Sequence, residues 1–479
     1  MKLRARHCLL SAVLLAGCTH FEPKPLSPET TAHQFEERSL TNPALKTFLD
    51  RTLQSGNIQW PLTNWDLDSL TLAAFYYQPS LEVARAEWRV AQGGIKTAKE
   101  RPNPTTTVSV LHEPVPDAPS PWIPQILFDL PIETAGKRRF RTDQARHLAD
   151  SARFAIESAA WQVRSQLRAA MLDYVAARER LTVLRRQASL HEQVVSRLQA
   201  QLQAGAISAI ELNAARLAFV RARADLADAE RALAEARPRL ATAIGLPTVA
   251  LDGVELQFDI NQSKAAEDMT SNELRRLALL GRTDILGALA DYAASQSSLE
   301  SEVAKQYPDI HLAPGYSWNG GSAGEHDWQI GATVELPLLN QHKGSIGEAT
   351  ARREASAARF RALQAKVIGE IDAAVASFRA TQTNTAVLDT LRSAQETQLK
   401  AAEAQLQAGA VDRLEVVASQ LELNTVELAR FEAQVKLQQA VGGLEDAVQR
   451  PFELPAWIFE DAKSEEGRGD GEKAETLKG

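Results

Sequence analysis

The chain has 479 residues, is 44% hydrophobic, carries a formal net charge of −8 (pI near 5.7), and contains two cysteines, Cys8 and Cys18. Such a length allows two or three domains or one elongated body, with enough apolar content for extensive burial. The acidic balance argues against nucleic acid as a partner. No run of about 18 apolar residues lies beyond the extreme N-terminus, so no transmembrane helix is expected.

Residues 1–17 read as an export signal. Lys2, Arg4 and Arg6 precede a short apolar core, Cys8 to Leu15, too short to span a bilayer. The segment ends in Leu15-Ala16-Gly17-Cys18, which resembles a bacterial lipobox; the alternative is an ordinary signal with a chance cysteine. On the lipobox reading Cys18 becomes the lipidated first residue of a mature protein with no free thiol. Thr19 follows it, not the aspartate associated with inner-membrane retention, which points to the outer membrane. Residues 18–65 then read as a tether, with Pro23, Pro25 and Pro28 favouring extended backbone and only Asn42 to Leu53 helical.

From Asp66 a helical pattern begins, pauses at Gln78-Pro79 and resumes to Lys99, where Pro102 and Pro104 end it. The stretch 137–204 contains neither proline nor glycine and is rich in Ala, Leu, Arg, Gln and Glu. At the α-helical rise it makes a rod of roughly 100 Å. Leu167, Tyr174, Leu181, Ala188, Val195 and Leu202 recur every seven residues, with Ala177, Leu184, His191 and Leu198 three further on. That is the seam of a left-handed coiled coil, which a lone rod cannot bury.

The chain supplies the partners by duplication. At a shift of about 206, Pro102 falls on Pro308, Trp122 on Trp328, Leu130-Pro131 on Leu336-Pro337 and Lys137 on Lys343. At a shift of 204, QLQAGA at Gln201 to Ala206 recurs at Gln405 to Ala410. Each half reads helix, strand, strand, very long helix, return helix. The first repeat covers 66–250, with a hairpin at 105–130, the long helix 137–204 and a return helix 207–244. The second covers 271–459, with a hairpin at 310–336, a long helix 347–408 and a return helix 411–448. Residues 251–270 link them, and 460–479 read as a disordered polar tail. Pro238 is expected to kink the first return helix, and Gly442-Gly443 to weaken the end of the second.

The strands alternate. Trp328, Ile330, Ala332, Val334 and Leu336 face one way; Gln329, Gly331, Thr333 and Glu335 face the other. Trp122, Ile126, Phe128 and Leu130 form an apolar face opposite Gln125 and Asp129, and Ile310, Leu312, Tyr316 and Trp318 form another. Ten residues is the length of a tilted membrane strand, and Trp122, Trp318 and Trp328 lie at strand ends as interfacial aromatics do. A small soluble β-domain with one buried face is the alternative. Four strands are too few to close a membrane barrel, and an open membrane sheet is excluded by its unpaired edges. The barrel must then be shared, among two, three or four subunits.

The signal, the duplicated helix–hairpin–long helix–return helix order and the paired turns resemble the TolC family of outer-membrane efflux channels over about Asp66 to Phe459. DLPIETAGKRRFR at Asp129 to Arg141 and QHKGSIGEA at Gln341 to Ala349 are similar to cobalt–zinc–cadmium efflux outer-membrane proteins. The resemblance implies a mainly α fold with a small β portion: a homotrimer, with a shared twelve-stranded barrel above a long helical periplasmic tunnel. It implies a passive exit duct that works with a periplasmic adaptor and an inner-membrane pump, of the proton-driven resistance–nodulation–division type. Gln125, Asp129, Gln329, Thr333 and Glu335 would face the lumen. The turns carrying Gly205, Ala206, Ile207, Ser208 and Glu211, and Gly409, Ala410, Val411, Asp412, Arg413 and Glu415, would form the adaptor-contacting tip. Each of these glycines suits the left-handed cap of a helix. Glu415, Asp412 and Glu211 are then candidates for an acidic aperture. The competing reading is that an acidic residue in a first helical turn complements the dipole.

No enzyme signature is present. The nine histidines are scattered, without HExxH or a helical metal-ligand pair, and no cofactor is expected. His112 with Glu113, and Glu325 with His326, read as outer-loop residues. Three functions remain: a duct for divalent metal ions, the same duct for drugs or secreted polypeptide, or a non-conducting periplasmic scaffold.

Overall fold

The structure is a computed structural model and describes residues 21–53, 60–114, 121–260, 270–319 and 325–451. Cys18, the linker segment 261–269 and the tail 460–479 lie outside the described residues. Helices α1 (Pro28–Glu36) and α2 (Pro43–Leu53) lead into a short strand β1 (Asn64–Trp65), then α3 (Leu67–Tyr77) and α4 (Pro79–Lys99). A hairpin follows, β2 (Thr105–His112) and β3 (Trp122–Ile132), then the 67-residue α5 (Lys137–Gln203) and α6 (Ala209–Ile244). After β4 (Glu255–Leu256), the order repeats. It runs α7 (Ser271–Gly281), α8 (Thr283–Ala304), β5 (Ile310–Asn319), β6 (Glu325–Val334), the 65-residue α9 (Lys343–Gln407) and α10 (Arg413–Val448).

The seam residues of α5 are turned inward. Leu167, Leu181, Leu184 and Ala188 are buried, and Tyr174, Ala177, His191, Val195, Leu198 and Leu202 are half-buried. Helix α5 packs along α4, α6, α8 and α10, so the rod's apolar stripe is covered from both repeats.

The segment expected to be a tether is partly structural. Leu40, Leu45 and Leu49 are buried in the first core beside Trp65, Leu70, Leu167, Met171 and Ile244. Leu45 and Leu49 sit one helical turn apart, so α2 offers a single apolar edge to that core. Arg38 Nη1 donates to the carbonyls of Tyr77 (2.9 Å) and Gly245 (3.0 Å), and Tyr77 Oη donates to Ser39 O (2.8 Å). Strand β1 adds in parallel to β4, so the segment before the first repeat pairs with the one after it. Helix α1 also forms where only extended chain was expected: Ser27 accepts from Thr30 N, and Pro28 occupies the first turn.

The two repeats share a joint. Gln78, between α3 and α4, donates through Nε2 to Thr242 O and Ala243 O, satisfying carbonyls at the end of α6. Arg282, at the same joint between α7 and α8, donates to Ala447 O (2.9 Å) at the end of α10 and pairs with Asp284 and Glu370.

At the two expected weak points the helices stay continuous: α6 runs through Pro238 to Ile244, and α10 through Gly442-Gly443 to Val448. At Gly442 the missing side chain makes room: a Cβ there would lie 1.7 Å from Arg168 Nη1. The absent side chain admits a guanidinium into a buried polar network. Arg164 Nη1 donates to Glu445 Oε2 (2.9 Å), with both side chains almost fully buried. Arg168 Nη2 donates to Gln438 Oε1 (3.3 Å), and Trp161 Nε1 and Ser165 Oγ donate to the Asp446 carboxylate (3.0 and 2.7 Å). Burial raises the Asp446 carboxyl above its ordinary value, against these hydrogen bonds. The network ties α5 of one repeat to α10 of the other.

Candidate functional site: a two-faced sheet and a pair of tips

Strands β2, β3, β5 and β6 form one antiparallel sheet in the order β2-β3-β5-β6. The register sorts its side chains into two faces. One carries Val108 and Val110; Trp122, Ile126, Phe128, Leu130 and Ile132; Ile310, Leu312, Tyr316 and Trp318; and Trp328, Ile330 and Val334. Trp122, Ile126, Phe128, Trp328 and Ile330 are exposed, Ile330 by 88%. An apolar face this open marks a surface that meets lipid or another protein. The opposite face is mostly polar: it carries Thr105, Thr107, Ser109, Gln125, Asp129, His311, Ser317, Gln329 and Thr333, with Leu111, Ile123 and Leu127 among them. Here Gly315 sits in close approach: a Cβ would lie 2.7–2.8 Å from the Gln329 and Leu127 side chains, which would have to shift to admit it.

Four of the expected lumen residues, Gln125, Asp129, Gln329 and Thr333, share that polar face. Glu335 lies one residue past the end of β6 at Val334, exposed and outside the paired register. A residue not singled out in the sequence, His311, pairs with Asp129 through Nδ1 at 3.0 and 3.1 Å across β3 and β5. Its place between Ile310 and Leu312 was the available signal, since alternation puts it on the polar side. His112 and His326 belong to strands, not to outer loops. His112 meets the Trp122 ring edge-on at 4.4 Å, and His326 Nδ1 lies 2.5 Å from Tyr316 Oη, beside Trp328. Trp122, Trp318 and Trp328 thus cluster near the hairpin ends of the apolar face.

Among the described residues, strands β2 and β6 are the sheet's edges, each with a neighbour on one side only. An apolar sheet with two open edges leaves two rows of backbone donors and acceptors unpaired.

About 100 Å away along α5 and α9 lie the two turns. Gly205 and Gly409 adopt left-handed φ values of 74° and 72°. In each, the alanine after the glycine closes a bond across the helix end: Ala206 N to Gln201 O and Ala410 N to Gln405 O, both 2.9 Å. Identical hexapeptides give one geometry twice. Ile207 and Val411 are half-buried at the bend.

Beyond the bend the tips diverge. Ser208 caps α6, and the Glu211 carboxylate returns to Ser208 N (3.4 Å) and Oγ (3.0 Å), a closed capping box. Asp412 caps α10 by accepting from Glu415 N (3.1 Å). The Glu415 carboxylate itself is exposed and has no partner among the described residues. Of the three aperture candidates, two are engaged in capping and only Glu415 is free.

Among the described residues no three His, Cys, Asp or Glu side chains converge on a metal-sized site, and no helix is long and apolar enough to cross a membrane.

A family profile described as "Outer membrane efflux protein" matches residues 74–246 and 274–448, more than half of the chain and one match per repeat. The cobalt-zinc-cadmium resistance protein CzcC of Cupriavidus metallidurans is 24% identical over 267 residues, 56% of this chain and 62% of that protein. The pyoverdine export outer membrane protein OpmQ of Pseudomonas aeruginosa is 27% identical over 291 residues, 57% of this chain and 59% of that one. The match thus spans about three-fifths of each relative. Among solved structures, CusC superposes with TM-score 0.65 at 17% identity, covering 82% of this chain and 95% of CusC. The outer-membrane channel OprN gives TM-score 0.67 at 17% identity, covering 92% and 100%, and VceC of Vibrio cholerae 0.66 at 19%, covering 81% and 97%. With two profile matches set on the two structural repeats, and the same fold in known outer-membrane channels, the chain belongs to the outer membrane efflux protein family.

Proposed function

We propose that three copies of the chain close one twelve-stranded barrel in the outer membrane. Beneath it the long helices form a periplasmic tunnel, through which an efflux assembly releases divalent heavy-metal ions. One observation carries this reading: a four-stranded sheet with an exposed apolar face, a polar opposite face and two open edges. Pairing β2 of one copy with β6 of the next satisfies both edges and turns the apolar face to lipid. The polar face, with Gln125, Asp129, His311, Gln329 and Thr333, then lines a water-filled passage, and transport needs no chemistry. Cys18 anchors the N-terminus through lipid. The tips receive a periplasmic adaptor linked to a proton-driven pump of the resistance–nodulation–division type. Three Glu415 carboxylates around the axis repel one another yet draw cations to the entrance. The similarity to CzcC supports metal ions as cargo. The similarity to OpmQ favours a second reading, in which the duct passes organic molecules.

Planar-bilayer recording of the full-length protein, beside its native mass, tests the proposal. The expected result is a trimer that conducts, with Glu415→Ala reducing cation preference and raising conductance. A stable monomer without conductance would leave the non-conducting scaffold. Conductance unaffected by Glu415→Ala would remove the gate but keep the duct. For the cargo, deleting the gene should lower tolerance to cobalt, zinc or cadmium; unchanged tolerance would favour the organic reading.

A further inference from the structure

At the foot of the sheet, where β3 gives way to α5, lies a cavity of about 700 Å³ whose lining is strongly cationic. Around it stand Lys99, Arg101, Arg138 and Arg139. Nearby cations are already neutralised: Lys137 pairs with Asp309 (2.8 Å), Arg141 with Glu133 (2.7 Å) and Arg146 with Asp143 (2.8 Å). Lys99, Arg101, Arg138 and Arg139 have no carboxylate partner among the described residues, and only Arg139 has another cation acceptor, the Phe140 ring at 4.7 Å. Four unpaired cations in one concavity repel one another and favour an anion.

The fold does not demand these charges. The duplication gives an internal control, because Lys137-Arg138-Arg139-Phe140-Arg141 aligns with Lys343-Gly344-Ser345-Ile346-Gly347. Both stretches open a helix of about the same length from the same sheet, yet only the first carries the arginines.

The position indicates what kind of anion fits. Ile132, the last residue of β3, lines the cavity and also ends the exposed apolar face, where it is 45% exposed. Pro102 and Pro131 add to the apolar part of the wall. The site therefore joins the lower rim of the lipid-facing band to a cationic wall. Guanidinium groups bind phosphate oxygens through paired, charge-assisted hydrogen bonds. A free phosphate would use the cations and leave the apolar rim unfilled. A ligand with a phosphate head and acyl chains uses both.

We propose that this cavity holds the headgroup of an anionic phospholipid from the periplasmic leaflet, one per copy of the chain. The proposal rests on the membrane-barrel reading above and adds a lipid site that the barrel itself does not require. Native mass spectrometry of the full-length trimer, with added phosphatidylglycerol or phosphatidylcholine, tests it. The wild type should retain phosphatidylglycerol in preference to phosphatidylcholine, up to one per subunit. Arg138→Gln with Arg139→Gln should weaken that retention on the order of tenfold while the trimer mass persists. Arg101→Gln should weaken it less. Equal retention of the two lipids, or retention indifferent to the substitutions, would overturn the proposal. So would displacement of the lipid by equimolar inorganic phosphate, which would mark a free-phosphate site. Loss of the trimer in the arginine variants would instead assign these cations to a neighbouring copy's carboxylates. A wild type that is neither trimeric nor conducting would fail the barrel reading separately.

Discussion

The helical body and the sheet satisfy their chemistry in opposite ways. In the body, α5 finds α4, α6, α8 and α10 within its own chain, and the buried Arg164 is paired with Glu445. In the sheet, β2 and β6 each lack a neighbour on one side among the described residues, and Trp328 and Ile330 are 79% and 88% exposed. One chain therefore holds a nearly complete helical fold and an incomplete barrel. What the described sheet lacks, further strands and an apolar solvent, is what the proposed trimer and the outer membrane would supply.

The comparison breaks first at the buried pair. Removing Arg164 leaves Glu445 charged and almost fully enclosed, a change that costs about 3–5 kcal/mol when no other cation is near. Arg168 Nε lies 3.8 Å from the same carboxylate, so the lower end is expected. Thermal or denaturant unfolding of Arg164→Ala in detergent measures it. Wild-type stability would mean the two repeats are not joined through this network.

A pair of exposed isoleucines sharpens the contrast next. Ile330 lies on the sheet and Ile210 at the first tip, 88% and 79% exposed. Facing water, either residue tolerates lysine within about 0.5 kcal/mol. Facing the bilayer midplane, a lysine costs about 2–4 kcal/mol. Ile330→Lys should therefore reduce the trimer recovered from outer membranes, and Ile210→Lys should not. Equal recovery of both variants would return the sheet to water.

Much of this was legible in the sequence. The long helices are marked by what interrupts them: Gly136 and Gly205 bracket the first, and the second ends at Gly409. Alternation separated Gln329 and Thr333 from Trp328 and Ile330 because pleating allows one face per parity. The tips were legible as well, since QLQAGA closes the same turn twice. What escaped depends on residues far apart in the chain. Leu45 and Leu49 looked like part of a tether because the core that buries them comes from Leu167, Leu240 and Ile244. Gly442 looked like a helix weakness because Arg168, which fills its missing side chain's place, lies far back in α5. Glu335 continued the alternation one step beyond the strand. Glu211 and Glu415 have the same sequence position in the two repeats, yet only Ser208 closes a box with its glutamate; where the cap is itself a carboxylate, as at Asp412, like-charge repulsion opposes the same return.

The account turns on the two open edges meeting between copies. With only two cysteines in the chain, both within the first 18 residues, engineered pairs can be read cleanly. Thr107→Cys on β2 would be combined in turn with Gln329→Cys, Gly331→Cys and Thr333→Cys on β6, and oxidised in outer membranes. The account predicts that at least one register gives disulfide-linked trimers on denaturing gels. Monomers at every register, from protein that is folded and membrane-inserted, would contradict it.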